Sequence, residues 1–216
     1  MGDLNLVTIV IIVANVLISM KGFKDFAFFE KYKFNSAAVK RGEKIRIFSS
    51  GFLHVDTSHL FLNMLTLYFF ADVVISTLGS VGFVVIYLVS LFLGNLLSYY
   101  FHKDDLHYNA VGASGAVSGI IYAAILLYPD MSLYLFLIPI PIPAYVFGIG
   151  YMLYSIYGMK KRIGNIGHDA HFGGAVGGYI LTLILVPALF SQHLLMVILL
   201  AIPIVLLFFL QKSGKM

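Results

Sequence analysis

Residues 81–101 read VGFVVIYLVSLFLGNLLSYYF, a run without a single charged side chain. As a helix, about 20 such residues span the ~30 Å hydrocarbon core of a bilayer. Working outward, comparable stretches recur near 4–20, 58–78, 111–128, 137–157, 169–189 and 193–210. The whole chain agrees: 60% of its 216 residues are hydrophobic and 11% charged, and mean hydropathy is +0.94. An ordinary soluble domain is excluded. The expected fold class is therefore all-α, a polytopic membrane helical bundle with six core spans and a seventh C-terminal span at 191–210. Residues 1–216 are read as one membrane-embedded domain.

The basic charges sit outside the spans. Eight of the 14 Lys/Arg lie between Lys21 and Arg46, interleaved with Phe23, Phe26, Phe28, Phe29, Tyr32 and Phe34. A basic, aromatic segment of this kind is a nucleic-acid site in some soluble proteins. Beside membrane spans it is expected to lie in the lipid headgroups, so the bilayer is the expected partner and nucleic acid is not. The first stretch lacks a basic leader and is expected to be a retained helix. No cysteine is present, which removes disulfides and thiolate metal sites. Pro139, Pro141 and Pro143 alternate with isoleucine, so the fifth helix is expected to start after Pro143 or to be irregular at its entry.

Polar groups inside spans are costly, and these are the places to look for function. His59 and Asn63, four apart, share one face of the second span. Ser114 and Ser118 stand at the same spacing in the fourth, within GASGAVSG at 112–119, and His168 and His171 open the sixth, within GHDAHFGG at 167–174. Spans alternate in direction, so the second, fourth and sixth begin at one membrane face and bring these residues to one depth. Serine, histidine and asparagine together supply a nucleophile, a base and oxyanion donors for acyl transfer. Gly115 and Gly119 on the fourth span, with Gly174 and Gly178 on the sixth, form small-xxx-small stripes that allow close backbone approach. Each piece has a plainer reading: a helical serine bonds the carbonyl four back, and a His–Asn pair can simply tie helices together. Their coincidence at one depth favours chemistry.

The stretches HVDTSHLFLNM at 54–64, GASG at 112–115 and AHFGG at 170–174 together resemble the rhomboid family of intramembrane serine proteases, from the basic loop to the sixth span. The resemblance implies a Ser114–His171 dyad without an acidic third member, and an oxyanion site made by His59, Asn63 and the backbone N–H of Ser114. It implies cleavage of transmembrane protein substrates near the membrane rim, where their helices unwind, with no cofactor and no metal. A plasma-membrane location is expected. Two departures stand out: Ile45-Arg46 replaces the family's common Trp-Arg pair, and Ser118 replaces the aromatic that usually stacks on the base. The second leaves His171 unsupported unless Tyr122 or another aromatic reaches it. His168 competes for the role of base but lies further out, beside Asp169, which is expected to cap the helix before Ala170. His54 is expected to be structural.

Other intramembrane mechanisms fail on inventory. A zinc protease needs His-Glu-x-x-His, but the only glutamates are Glu30 and Glu43, and an aspartyl protease needs two embedded aspartates, where only Asp72 lies within a span away from its ends. A transporter would place its polar residues at the midplane rather than at one rim. The remaining alternative is a non-proteolytic rhomboid-like protein that binds transmembrane clients.

Overall fold

The computed structural model describes residues 5–134, 140–164 and 166–215. Its helices are α1 (Leu6–Lys24), α2 (Phe26–Tyr32), α3 (Ser36–Lys40), α4 (Arg46–Ser49), α5 (Thr57–His102), α6 (Ser114–Leu127), α7 (Ala144–Lys161), α8 (His168–Leu185), α9 (Leu189–Gln192) and α10 (Leu194–Lys212). Four two-residue strands form two small pairs: β1 (Phe34–Asn35) with β2 (Asn109–Ala110), and β3 (Ser132–Leu133) with β4 (Ile142–Pro143). The fold is the expected helical bundle, and α1, α5 and α10 are each long and apolar enough to cross a membrane.

The boundaries follow local chemistry. Asn5 caps α1 by accepting from the Val7 N–H at 3.0 Å, and Asp56 caps α5 by accepting from His59 N–H at 2.7 Å. The expected second and third spans are the halves of α5, separated at Gly79. There the backbone takes φ 68° and ψ 175°, a conformation that glycine tolerates and other residues resist. The chain thus reverses almost without a loop. α6 begins at Ser114 rather than 111, because Gly112 at φ 130° cannot continue into a helix. α7 starts directly after Pro143, as the prolines required, although residues 137–139 of the expected fifth span lie outside the described residues.

α6 occupies the centre. Every residue from Gly115 to Leu126 is buried, so the helix has no lipid-facing side and is wrapped by its neighbours. Its 14 residues rise only about 21 Å, less than a bilayer core.

The basic, aromatic segment is folded rather than extended. Arg46 organises it: Nε donates to Glu43 Oε2 at 2.7 Å, and Nη1 donates to the carbonyls of Glu30 and Lys33 at 2.8 and 2.9 Å. The guanidinium, bonding and facing Glu43, also holds that carboxyl below the ordinary glutamate range. Asn95 in the second half of α5 then ties the segment down, donating to Ile47 O at 2.7 Å and to Ser50 Oγ at 3.1 Å. Through β1 the segment braces Asn109 and Ala110, just ahead of Gly112 and Ser114. α10 packs on α7 and α8, with Tyr179 OH donating to Val197 O at 2.8 Å.

Candidate active site

The starts of α5, α6 and α8 meet at one end of the bundle. His59 and Asn63 lie in the first two turns of α5, Ser114 is the first residue of α6, and His168, Asp169 and His171 open α8. Gly112 shows how tightly the first two are joined. A Cβ built there would sit 2.7 Å from His59 Cε1, 2.9 Å from His59 Nε2 and 3.7 Å from Ser114 Oγ. The imidazole edge and the hydroxyl thus flank one point, and any side chain at 112 would fill it. Asn63 donates one amide hydrogen to His59 O at 2.9 Å, which leaves the second free to point elsewhere.

α6 and α8 touch backbone to backbone. A Cβ on Gly174 would overlap the carbonyl of Gly115, and one on Gly178 would overlap the carbonyl of Gly119. On the third side, a Cβ on Gly94 of α5 would come within 2.6 Å of Ala170 O. Ala170 adjoins His171, so the position of His171 relative to Ser114 is set by three helix backbones rather than by side chains. Both residues remain partly accessible. No hydrogen bond joins them among the described residues, a looseness common in ligand-free sites.

The loop before Ser114 is locked from behind by His54, which is completely buried. His54 Nε2 accepts from Ala113 N–H at 3.3 Å, so the ring proton must sit on Nδ1. Nδ1 donates to Ser19 Oγ at 2.9 Å, and the Ser19 hydroxyl donates to Phe52 O at 3.0 Å. Every group in this chain of bonds has one role, which is the condition for a stable buried polar network. Burial, with the neighbouring His59 adding to it, pushes the His54 pKa down to about 3. The ring is neutral at physiological pH, as its acceptor role requires.

His171 and His168 occupy different surroundings. His168 is buried against Gly158 of α7, where a Cβ would collide with its ring, and its Nε2 lies 3.2 Å from Ile163 O. It serves as a wedge between α7 and α8. His171 instead stacks on Tyr151 of α7, with centroids 5.8 Å apart and planes at 23°. Tyr122 does not reach it, since its hydroxyl donates to Gly148 O at 2.6 Å. Nothing in the local sequence pattern pointed to Tyr151; the only hint was the small residue at 118.

Asp169 departs from expectation. The helix is capped by Gly167, and the Asp169 carboxylate accepts from Tyr108 OH at 3.3 Å and lies 3.3 Å from His102 Nε2. Tyr108 and His102 stack at 3.7 Å. Asp169 therefore fastens the start of α8 to the end of α5, and is not turned to either histidine of its own helix. Burial and this carboxylate push the Tyr108 phenol well above its ordinary range.

A groove of about 230 Å³ opens beside Ser114, lined by Leu62, Asn63, Val117, Ser118, Phe147 and Tyr151. A larger cavity of about 610 Å³ lies at the opposite end of the helices, against Asp72, Tyr128, Asp130 and His193. Size favours the second, but only the first is lined by the nucleophile candidate Ser114, together with Asn63 and the Tyr151 on which His171 stacks.

Fold and site together define a polytopic membrane protein with serine, histidine and asparagine side chains gathered at one end of its helices. The chain belongs to the rhomboid family: residues 41–188 match the Rhomboid domain. It is similar to Rhomboid protein 1, mitochondrial, of Saccharomyces cerevisiae, at 32% identity over 62% of this chain and 40% of that one. It is similar also to RHOMBOID-like protein 12, mitochondrial, of Arabidopsis thaliana, at 29% over 77% of this chain and 54% of that one. Rhomboid protease GluP of Bacillus subtilis matches at 30% over 67% of this chain and 26% of its own length. The chain thus spans about half the length or less of the curated relatives it matches. The expectation of a plasma-membrane location is overturned, because the first two of these relatives are mitochondrial; a multi-pass membrane protein stands.

Proposed function

We propose that this chain is an intramembrane serine endopeptidase that cuts transmembrane protein substrates near the membrane rim, with Ser114 as nucleophile and His171 as base. The observation that supports this reading is the backbone-level contact of α6 with α8, the two helices whose first turns carry Ser114 and His171. His171 takes the proton of Ser114 Oγ as the oxygen attacks the scissile carbonyl carbon, and the carbonyl π pair moves to oxygen. The resulting oxyanion is held by His59, by the free amide hydrogen of Asn63 and by the Ser114 N–H, with the positive end of the α6 dipole behind them. Collapse of the intermediate breaks the C–N bond, and His171 returns its proton to the leaving amine. Water, deprotonated by the same imidazole, then releases the acyl group from Ser114. The mitochondrial relatives extend the proposal to a mitochondrial membrane.

The groove suits a substrate whose helix has opened. Leu62, Val117 and Phe147 give it apolar walls, while attack requires an extended backbone, which small or helix-breaking residues in the substrate make less costly. The open Ser114–His171 hydrogen bond is what a non-proteolytic, client-binding relative would also display. Incubation of the reconstituted protein with a single-span test substrate, beside Ser114→Ala, separates the two. Product from the parent and none from the variant supports the protease, and binding without product from the parent overturns it.

A further inference from the structure

We infer that Tyr151 is the positioning residue for His171, so that α7 rather than the nucleophile's own helix orients the base. This deepens the proposed protease reading and rests on it. Asp169, the nearest carboxylate in sequence, is committed to Tyr108 and His102. Among the described residues no side chain hydrogen-bonds the His171 imidazole. Its orientation therefore depends on the rings around it. One face lies on Tyr151, which is itself stacked on Phe147 at 5.9 Å and 8°. The edge of His168 approaches at 6.4 Å and 74°.

Tyr151 is in turn fixed to the nucleophile. Ser118 has one hydroxyl proton and donates it to Ser114 O at 2.8 Å, so in its 2.9 Å contact with Tyr151 OH the serine accepts and the phenol donates. Tyr151 OH to Ser118 Oγ to Ser114 O is thus one directed chain. The phenol grips the first turn of α6 while the ring faces the base on α8. A large side chain at 118 would occupy the space that the phenol uses. Small, hydroxylated Ser118 and aromatic Tyr151 act as a pair, and the departure at 118 is compensated from another helix.

The test uses the full chain in liposomes, with a fluorophosphonate probe, which loses fluoride as Ser114 Oγ attacks its phosphorus, for the phosphonylation rate of Ser114, and a single-span substrate for kcat and KM. Tyr151→Leu removes the ring and is expected to lower kcat and phosphonylation about 10–10²-fold with KM unchanged, the scale of a misplaced catalytic group. Tyr151→Phe keeps the ring and is expected to restore kcat to within about threefold of the parent, as a role in stacking requires. A Leu variant with the parent's kcat, a Phe variant as impaired as Leu, or a Leu variant that changes KM alone would each overturn the inference. Should Tyr151→Leu not fold, Ser118→Ala combined with Tyr151→Phe decides the matter. Both changes cut the same link, so the double is expected to be no slower than the slower single, and additive losses contradict the pairing. A parent protein that neither reacts with the probe nor cuts substrate would sink the protease reading itself, an outcome separate from any of these.

Discussion

The two sides of the site are built by opposite means. Between α6 and α8 the joint is made by removing side chains: Gly115 and Gly119 face Gly174 and Gly178 so closely that neither member of the second pair has room for a Cβ. Between α7 and the rest, the joint is made by adding them. Tyr122 reaches Gly148 O, Tyr151 reaches Ser118, and His168 fills the space over Gly158. A backbone joint fixes distance, because nothing in it can rotate. A side-chain joint fixes orientation, and it can be retuned by changing a residue on either helix. Ser114 and His171 are set apart by the first kind, and the ring of His171 is aimed by the second.

This contrast can be broken most severely at Gly174. A Gly174→Val change drives two methyl groups into the Gly115 backbone, and α8 must move off α6. The expected result is loss of cleavage by more than about 10²-fold together with destabilisation of about 3 kcal/mol or more. Cleavage assays beside denaturant titration check both, and a variant with full activity would refute the close joint. A somewhat smaller loss is expected where the geometry stays intact and one donor goes. His59→Ala or Asn63→Ala should each slow turnover by about 10–10³-fold with KM little changed. A variant with unaltered kcat would return that residue to a purely structural role.

The smallest effect sharpens the comparison through the loop that precedes Ser114. His54 is held neutral, its pKa lowered from 6.5 to about 3 by burial. A histidine depressed in the folded state binds more protons when unfolded. Its contribution to stability is therefore whole above pH 6.5 and lost as pH falls from there towards 3. His54→Ala should cost about 1–3 kcal/mol at neutral pH, since it leaves the Ala113 N–H buried and unpaired. It should also flatten the pH dependence of unfolding between 6.5 and 3. Parallel stability curves for the two proteins across that range would show that His54 does not carry the link.

The fold was legible because charge is nearly absent from the spans and because Pro143 fixes where the fifth helix can start; the break at Gly112 was not, since the fourth span was expected from 111 and its helix begins at Ser114. The cluster was legible because alternation of direction brings the starts of even-numbered spans to one face. What escaped notice joins residues far apart in the chain with no shared period. His54 and Ala113 are 59 residues apart, Ser118 and Tyr151 are 33 apart, and both contacts depend on the rotation of one helix against another. Asp169 misled for a related reason. A carboxylate in a first helical turn is ordinarily a cap, but here Tyr108 and His102, on elements distant in sequence, outcompete the local backbone for it.

The central claim is that Ser114 and His171 act as one unit, and it is tested most directly by the double-variant comparison. Ser114→Ala, His171→Ala and the double variant are reconstituted with a single-span substrate, and cleavage is followed by gel and mass spectrometry. The account predicts that each single variant loses essentially all turnover and that the double is no slower than either, because removing one member already disables the other. Residual cleavage in Ser114→Ala matching the parent, or a double variant far slower than both singles, would contradict it.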